Sequence, residues 1–245
     1  MIKKELISLD FYKKKSVLTI LFFVSFFASI MVSTFLDKNY LIYIVPVVIF
    51  IILLKYISLT KKNTNLLFVF ALLTVIVSDI LLFYCFEECF LWISLLISVY
   101  LVSCTLILIK YLNRSKVKSL LSISLLIGVL LVSYLIYAVL ELLINYIPDN
   151  LLFFAFLTAF SLIIYTLTIT IIYVNDNYTN CTLLLASGIF YFFQIALSPI
   201  NELLYYDRTF TVLIVICHIL SIYLFMKFIV DTKVIVSGDI KEKYI

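Results

Sequence analysis

Long apolar blocks separated by short polar breaks run the length of this chain. Eight blocks are long enough to matter: residues 16–36, 41–60, 65–86, 89–112, 119–147, 151–174, 181–200 and 209–230. Crossing the hydrocarbon core of a bilayer takes about 20 mostly apolar residues in a helix. Each block meets that length. The breaks are small and polar: Asp37-Lys38-Asn39, Lys61-Lys62-Asn63, Glu87-Glu88, residues 113–118, Pro148-Asp149-Asn150, residues 175–180 and residues 201–208. None could hold a soluble domain. The pattern predicts an all-α integral membrane protein, a bundle of eight transmembrane helices spanning 16–230. A basic segment (1–15) precedes it and a short charged tail (231–245) follows.

Composition points the same way. Of the 245 residues 65% are hydrophobic and 13% charged, with mean hydropathy +1.24, whereas a soluble domain carries about 25% charged residues. The blocks are continuous and not alternating, and only 3 Gly and 3 Pro are present. Helices fit that better than the short alternating strands of a barrel. The run 16–36 follows Lys13-Lys14-Lys15 but is too long for a signal-peptide core and lacks a small-residue cleavage site. It reads as a first span.

Charge sets orientation. Lys and Arg concentrate in cytoplasmic loops. With both termini cytoplasmic, all 18 Lys and Arg except Lys38 and Arg208 fall on the cytoplasmic side. This split predicts an even number of spans and outward-facing turns at Glu87-Glu88, Asp149 and 201–208. Lys55, Lys110 and Lys227, inside helix ends, are expected to snorkel to the headgroups. The net charge of +4 is thereby spent on orientation, and no nucleic-acid partner is expected. One His and scattered Cys leave no metal site to expect, and no cofactor is implied. Cys85 and Cys89 lie four apart near the outer end of a helix pair. A disulfide is conceivable there, but small apolar helix positions are the favoured reading.

Polar groups recur three and four apart, which puts them on single helix faces. The fifth block carries Tyr134, Tyr137, Glu141 and Asn145. The sixth carries Thr158, Ser161, Tyr165 and Thr168. The seventh carries Ser187, Tyr191, Gln194, Ser198 and Asn201, and the eighth Thr211, His218 and Ser221. For Ser and Thr the expected role is hydrogen bonding between helices. Ionisable groups within a span are costly and mark interiors or cavities. Asp79 lies roughly 21 Å into its helix at about 1.5 Å per residue. Glu141 and Gln194 share that depth, and His218 enters near the midplane. The expectation is one outer-half pocket lined by Asp79, Glu141, Gln194, His218, Tyr134, Tyr137 and Tyr191.

Two stretches carry a family likeness. Residues Ala71 to Leu82 (ALLTVIVSDILL) resemble the third-helix motif of the YhhN-like lysoplasmalogenases, with Ser78 where Gly is usual. Residues Gly188 to Ser198 (GIFYFFQIALS) are similar to their seventh-helix motif, with Phe193-Gln194 where Ser-Asp is usual. His218 and Tyr223 stand in a similarly polar last helix. The family's fourth-helix histidine has no counterpart near Val99 and Tyr100. The resemblance implies hydrolysis of a vinyl-ether bond in a lyso-lipid within a bacterial cell membrane. On this reading Asp79 is the catalytic acid, with Glu141 or His218 as its catalytic partner, and Gln194, Tyr134, Tyr137 and Tyr191 are substrate-binding groups. Gln cannot transfer a proton at neutral pH, so the second acid of the pair is absent at position 194. The alternatives are a binding or scaffold protein that keeps the fold, and a small transporter.

Overall fold

The structure, a computed structural model, describes residues 2–112, 123–175 and 178–233. Side-chain surroundings are described from Val17 on, excepting 62, 123–127, 129, 131 and 143. Among the described residues there are eight α-helices: α1 (Ile2–Phe35), α2 (Leu41–Thr60), α3 (Leu66–Tyr84), α4 (Phe90–Leu112), α5 (Ile123–Leu143), α6 (Asp149–Asn175), α7 (Cys181–Pro199) and α8 (Arg208–Asp231). Every apolar block of the sequence became a helix, because a backbone in hydrocarbon must satisfy its own hydrogen bonds. Seven stretches are long and apolar enough to cross a membrane by length and composition; the described part of α5 is shorter. The expected cytoplasmic placements of Arg114, Lys116, Lys118, Lys241 and Lys243 lie outside the described residues.

The seven spanning helices close a ring. Packing runs α1–α2–α3–α4–α6–α7–α8 and back to α1, with α2 also touching α8. α5 stands outside that ring and packs chiefly on α6. One large core fills the interior, from Phe22, Leu41 and Tyr56 to Tyr100, Tyr165, Tyr191 and Phe225. Gly188 supplies the α6–α7 approach: a Cβ there would meet Ile169 Cδ1 at 2.8 Å. Small residues let membrane helices come this close.

Hydroxyl and amide groups stitch neighbouring helices as the stripes suggested. Ser187 donates to the Ser221 carbonyl at 2.8 Å, and Thr158 to the Ser94 carbonyl at 3.1 Å. Asn201 donates to the Thr211 hydroxyl at 3.1 Å and accepts from the Asp207 amide at 2.9 Å. Asp207 caps α8 by accepting from the Thr209 amide at 2.6 Å. The Thr209 hydroxyl and amide hold its carboxyl below the usual carboxylate range.

Two ends can be told apart by their contacts. At one, Lys38 pairs with Glu202 at 2.5 Å, and Arg208 donates to the Thr34 carbonyl. Glu87, Tyr146 and Leu203 gather at the same end. At the other, Tyr178 donates to the Tyr111 carbonyl and Thr179 pairs with Lys233. Lys110 and Lys227 are exposed there. Lys55 is not: it is 6% exposed, 3.4 Å from the Tyr223 hydroxyl and packed on the Phe22 and Tyr223 rings. The aromatic stack between α1 and α8 (Phe22–Tyr223, 4.4 Å) encloses an ammonium that hydropathy alone would send to the surface. Cys85 and Cys89 form a disulfide, against the expectation of free cysteines. The turn between α3 and α4 brings them together at the acidic end.

Candidate functional site

Asp79 leaves α3 toward the ring interior and meets His218 of α8. The His218 Nε2 and Asp79 Oδ2 lie 3.0 Å apart. α3 and α8 are not principal packing partners, so the contact reaches across the ring. Both side chains are buried, at 4% and 6% exposed. Local bonding keeps the backbone helical around them: Ser78 donates to the Val75 carbonyl and Ser221 to the His218 carbonyl. His218 Nδ1 is buried without a partner. Tyr191 lies within electrostatic reach of Asp79. Its ring packs on Tyr100 at 5.0 Å and Tyr165 at 6.0 Å. The Tyr165 hydroxyl, beside Ser187, also lacks a partner in hydrogen-bonding geometry. An interior carboxylate–imidazole pair can hold a proton at the Nε2–Oδ2 contact, with Nδ1 as a second exchange point.

A half-open cavity of about 90 Å³ lies between α3, α4, α5, α6 and α7, toward the end that carries Glu87 and Glu202. Its walls are apolar: Leu82, Phe86, Phe90, Ile93, Ile97, Ile136, Leu140, Leu162 and Phe192 among them. Ser94, Thr158, Gln194 and Ser198 are its polar lining, and no charged side chain lines it. Thr158 is engaged with the Ser94 and Phe154 carbonyls and the Ser98 hydroxyl. Gln194 is 4% exposed, and its Oε1 is buried without a partner. A second cavity of about 240 Å³ adjoins it through Phe90 and Ile147, with Glu87, Tyr146 and Pro148 at its rim. The Phe86 and Phe90 rings meet edge to face at 5.8 Å between the two, on the turn that the Cys85–Cys89 disulfide closes.

The single expected pocket therefore divides. Asp79, His218 and Tyr191 come together in the ring interior. Gln194 is one of the residues that line the cavity. Glu141, Tyr134 and Tyr137 belong to neither: all three are exposed, the tyrosines at 68% and 61%. The reason is the position of α5 outside the ring. It presents Ile136, Val139 and Leu140 to the cavity, and its polar stripe faces out with Asn145. Asp79 and His218 do not line the cavity either. Spacing had shown that the stripe shares a face, not where that face looks. The cavity walls Phe86, Phe90 and Ile147 were not singled out in the sequence. The only signal near the two phenylalanines was the flanking cysteine pair.

No protein-family model, no curated protein and no solved structure matches the chain.

Proposed function

We propose that this is an eight-span membrane protein with both termini cytoplasmic, which binds a single-chain amphiphile such as a lyso-lipid in the cavity beside Gln194. The observation that carries the reading is the cavity itself: apolar walls, half open, with Ser94, Thr158, Gln194 and Ser198 as its few polar lining residues. Ligand sites are concave and mostly apolar with a few placed polar groups. Orientation rests on the charge split and on the disulfide. Disulfides persist in oxidising compartments, and Cys85–Cys89 sits at the end that carries Lys38 and Arg208 as its basic residues among the described turns. α5 supplies the eighth span. A bacterial cell membrane is the setting that the lysoplasmalogenase resemblance implies.

The test is photolabelling in lipid nanodiscs with a diazirine-bearing single-chain lyso-lipid. Labelled peptides should come from α4, α6 and α7 and disappear with excess unlabelled lyso-lipid. Labelling spread evenly over exposed faces of all helices, without competition, refutes a binding cavity.

A second reading, vinyl-ether hydrolysis, is favoured by the Asp79–His218 pair. Protonating the vinyl ether and activating water takes an acid and a base in contact with substrate. The pair stands off the cavity, and Gln194 replaces the acid that would stand in it. Binding therefore ranks ahead of hydrolysis. Aldehyde release from a lysoplasmalogen by wild type, Asp79→Asn and Gln194→Asp decides. The expected wild-type rate is lower by the roughly 10²–10⁴-fold that general acid–base catalysis contributes. Robust wild-type turnover that Asp79→Asn abolishes would restore hydrolysis as the first reading.

A further inference from the structure

α5 is built inside out for a helix at the edge of a membrane bundle. The face it turns to the ring is apolar, with Val132, Ile136, Val139 and Leu140. Its outer face carries Leu130, Tyr134, Tyr137, Glu141 and, just past the helix end, Asn145, all exposed. Among the described residues, none of the four polar side chains is engaged in a hydrogen bond or ion pair. Counted back from Leu143, the last residue of α5, at about 1.5 Å per residue, Tyr137 lies about 9 Å and Tyr134 about 14 Å along the helix. Glu141 and Asn145 alone would suit the headgroup zone, where tyrosines also gather. Tyr134 is too deep for that. A hydroxyl turned to hydrocarbon has no partner there, and polar groups in membrane helices find theirs across helix contacts. The spacing 130, 134, 137, 141 runs four, three, four. That is the seam repeat of two helices crossing at a shallow angle.

We propose that this face docks a second copy of the chain, α5 against α5, in a two-fold dimer. Copies inserted under the same charge rule share one orientation. Their two-fold axis then runs along the membrane normal, and each residue meets its counterpart at its own depth. The stripe suits that constraint. Leu130 packs on its own copy. Tyr134 also meets itself, and each hydroxyl both donates and accepts. An ionised Glu141 only accepts, and the donors it needs stand one turn to either side, Tyr137 and Asn145. Tyr137 of one copy therefore donates to the partner's Glu141, and the same contact recurs across the axis. A foreign helix bearing one Lys or Arg would answer Glu141 alone, whereas a second copy answers all four polar groups. The position of α5 leaves the face clear, because its contacts with α6, α7 and residues 200–204 lie on the other side.

The experiment counts copies of the full chain in phosphatidylcholine liposomes. Single-molecule photobleaching over a series of protein-to-lipid ratios gives a dimerisation constant. Leu130→Cys and Tyr134→Cys, oxidised in dilute liposomes, map the contact, and Val102→Cys on the exposed face of α4 is the control. The expected result is a dimer that cross-links through 130 and 134 and not through 102. One hydrogen bond between membrane helices is worth about threefold in an association constant. A substitution in a two-fold contact acts twice, so Tyr137→Phe and Glu141→Leu should each weaken the dimer roughly tenfold. Glu141→Gln keeps an acceptor for the Tyr137 hydroxyl and should retain the dimer. These side chains face away from the ring, so helicity and thermal unfolding of the dilute monomer should be unchanged in all three. A wild type that stays monomeric at every ratio overturns the proposal. So does a dimer whose constant is unmoved by Tyr137→Phe and Glu141→Leu combined, or cross-linking through Val102→Cys in place of α5. Cross-linking of Leu130→Cys in native membranes to a different polypeptide alone overturns it too, and makes the stripe a surface for another protein.

Discussion

Asp79→Val and His218→Leu, made singly and together, measure what holds the two sides of the ring. The contact is 3.0 Å long and both side chains are buried. Removing one partner strands the other in the interior. For a buried ion pair that costs about 3–5 kcal/mol, whereas replacing both members with apolar groups is close to neutral. An ordinary hydrogen bond between membrane helices contributes far less, about 0.6 kcal/mol on average and up to about 1.7. The burial of both groups favours the larger figure, although the Phe68 and Phe225 rings, 5.7 Å apart, also join α3 to α8. Each single variant should therefore lose about 3–5 kcal/mol, and the double variant should recover most of it. Unfolding in mixed micelles, followed by steric trapping or helicity, gives the cycle. A coupling energy below about 1.7 kcal/mol would place the contact among ordinary membrane hydrogen bonds and refute the clamp. Two single losses that simply add in the double variant would show that the groups act independently.

Three further outcomes follow from named contacts. Gly188→Ala should cost about 1 kcal/mol, because the added Cβ would displace the Cδ1 end of the buried Ile169. Gly188→Leu should cost about 1–3 kcal/mol by overpacking α6 against α7, read by the same unfolding assay. Reducing Cys85–Cys89, or substituting Cys89→Ser, frees the turn that carries Phe86 and Phe90 and should speed amphiphile exchange; an unchanged exchange rate would show that the disulfide does not hold the cavity mouth. The Asp207 cap works through a carboxyl held below its usual range. Its contribution is complete above the ordinary carboxylate range and is lost as pH falls through the lowered value. Amide exchange at Thr209 should rise on that descent and be pH-independent, once corrected for intrinsic rates, in Asp207→Ala.

The sequence disclosed what hydrocarbon imposes on any chain: where helices start and stop, and which end is basic. Six of the eight blocks begin and end within a few residues of the helices, the first begins early, at Ile2, and the start of the fifth, at 119, lies outside the described residues. It disclosed less about direction around each helix axis. A polar stripe on a helix inside the ring (α7 or α8) and one on α5 outside it have the same periodicity. Only the packing order, in which α4 passes directly to α6, sends Glu141 and the two tyrosines outward. Lys55 failed for a related reason. Its burial depends on Phe22, more than thirty residues away, closing over it with Tyr223, and no local window carries that. The Asp79–His218 contact was legible as a tendency, since an intramembrane acid needs a partner and the described spans offer one histidine.

The separation between the pair and the cavity bears most on function. A carboxylate and imidazole bound to each other in the ring interior have their strongest partners already. Proton donation to a substrate demands contact with it, and the surface that a substrate would touch is built from Phe86, Phe90, Ile97, Leu162 and Phe192, with Gln194 as its buried amide. An amide there can receive a hydrogen bond or orient a head group, but it neither gives nor takes a proton at neutral pH. Gln194→Asp is therefore the substitution that separates the readings. In a cavity otherwise without charge, an aspartate would carry a large desolvation cost, and the chain should be less stable unless His218 or a bound ligand compensates. If Gln194→Asp folds as stably as wild type and releases aldehyde from a lysoplasmalogen, the cavity and the pair form one catalytic site. If it is destabilised and inert while single-chain amphiphiles still protect wild type against unfolding, the cavity is a binding site and the pair is a separate contact that joins α3 to α8.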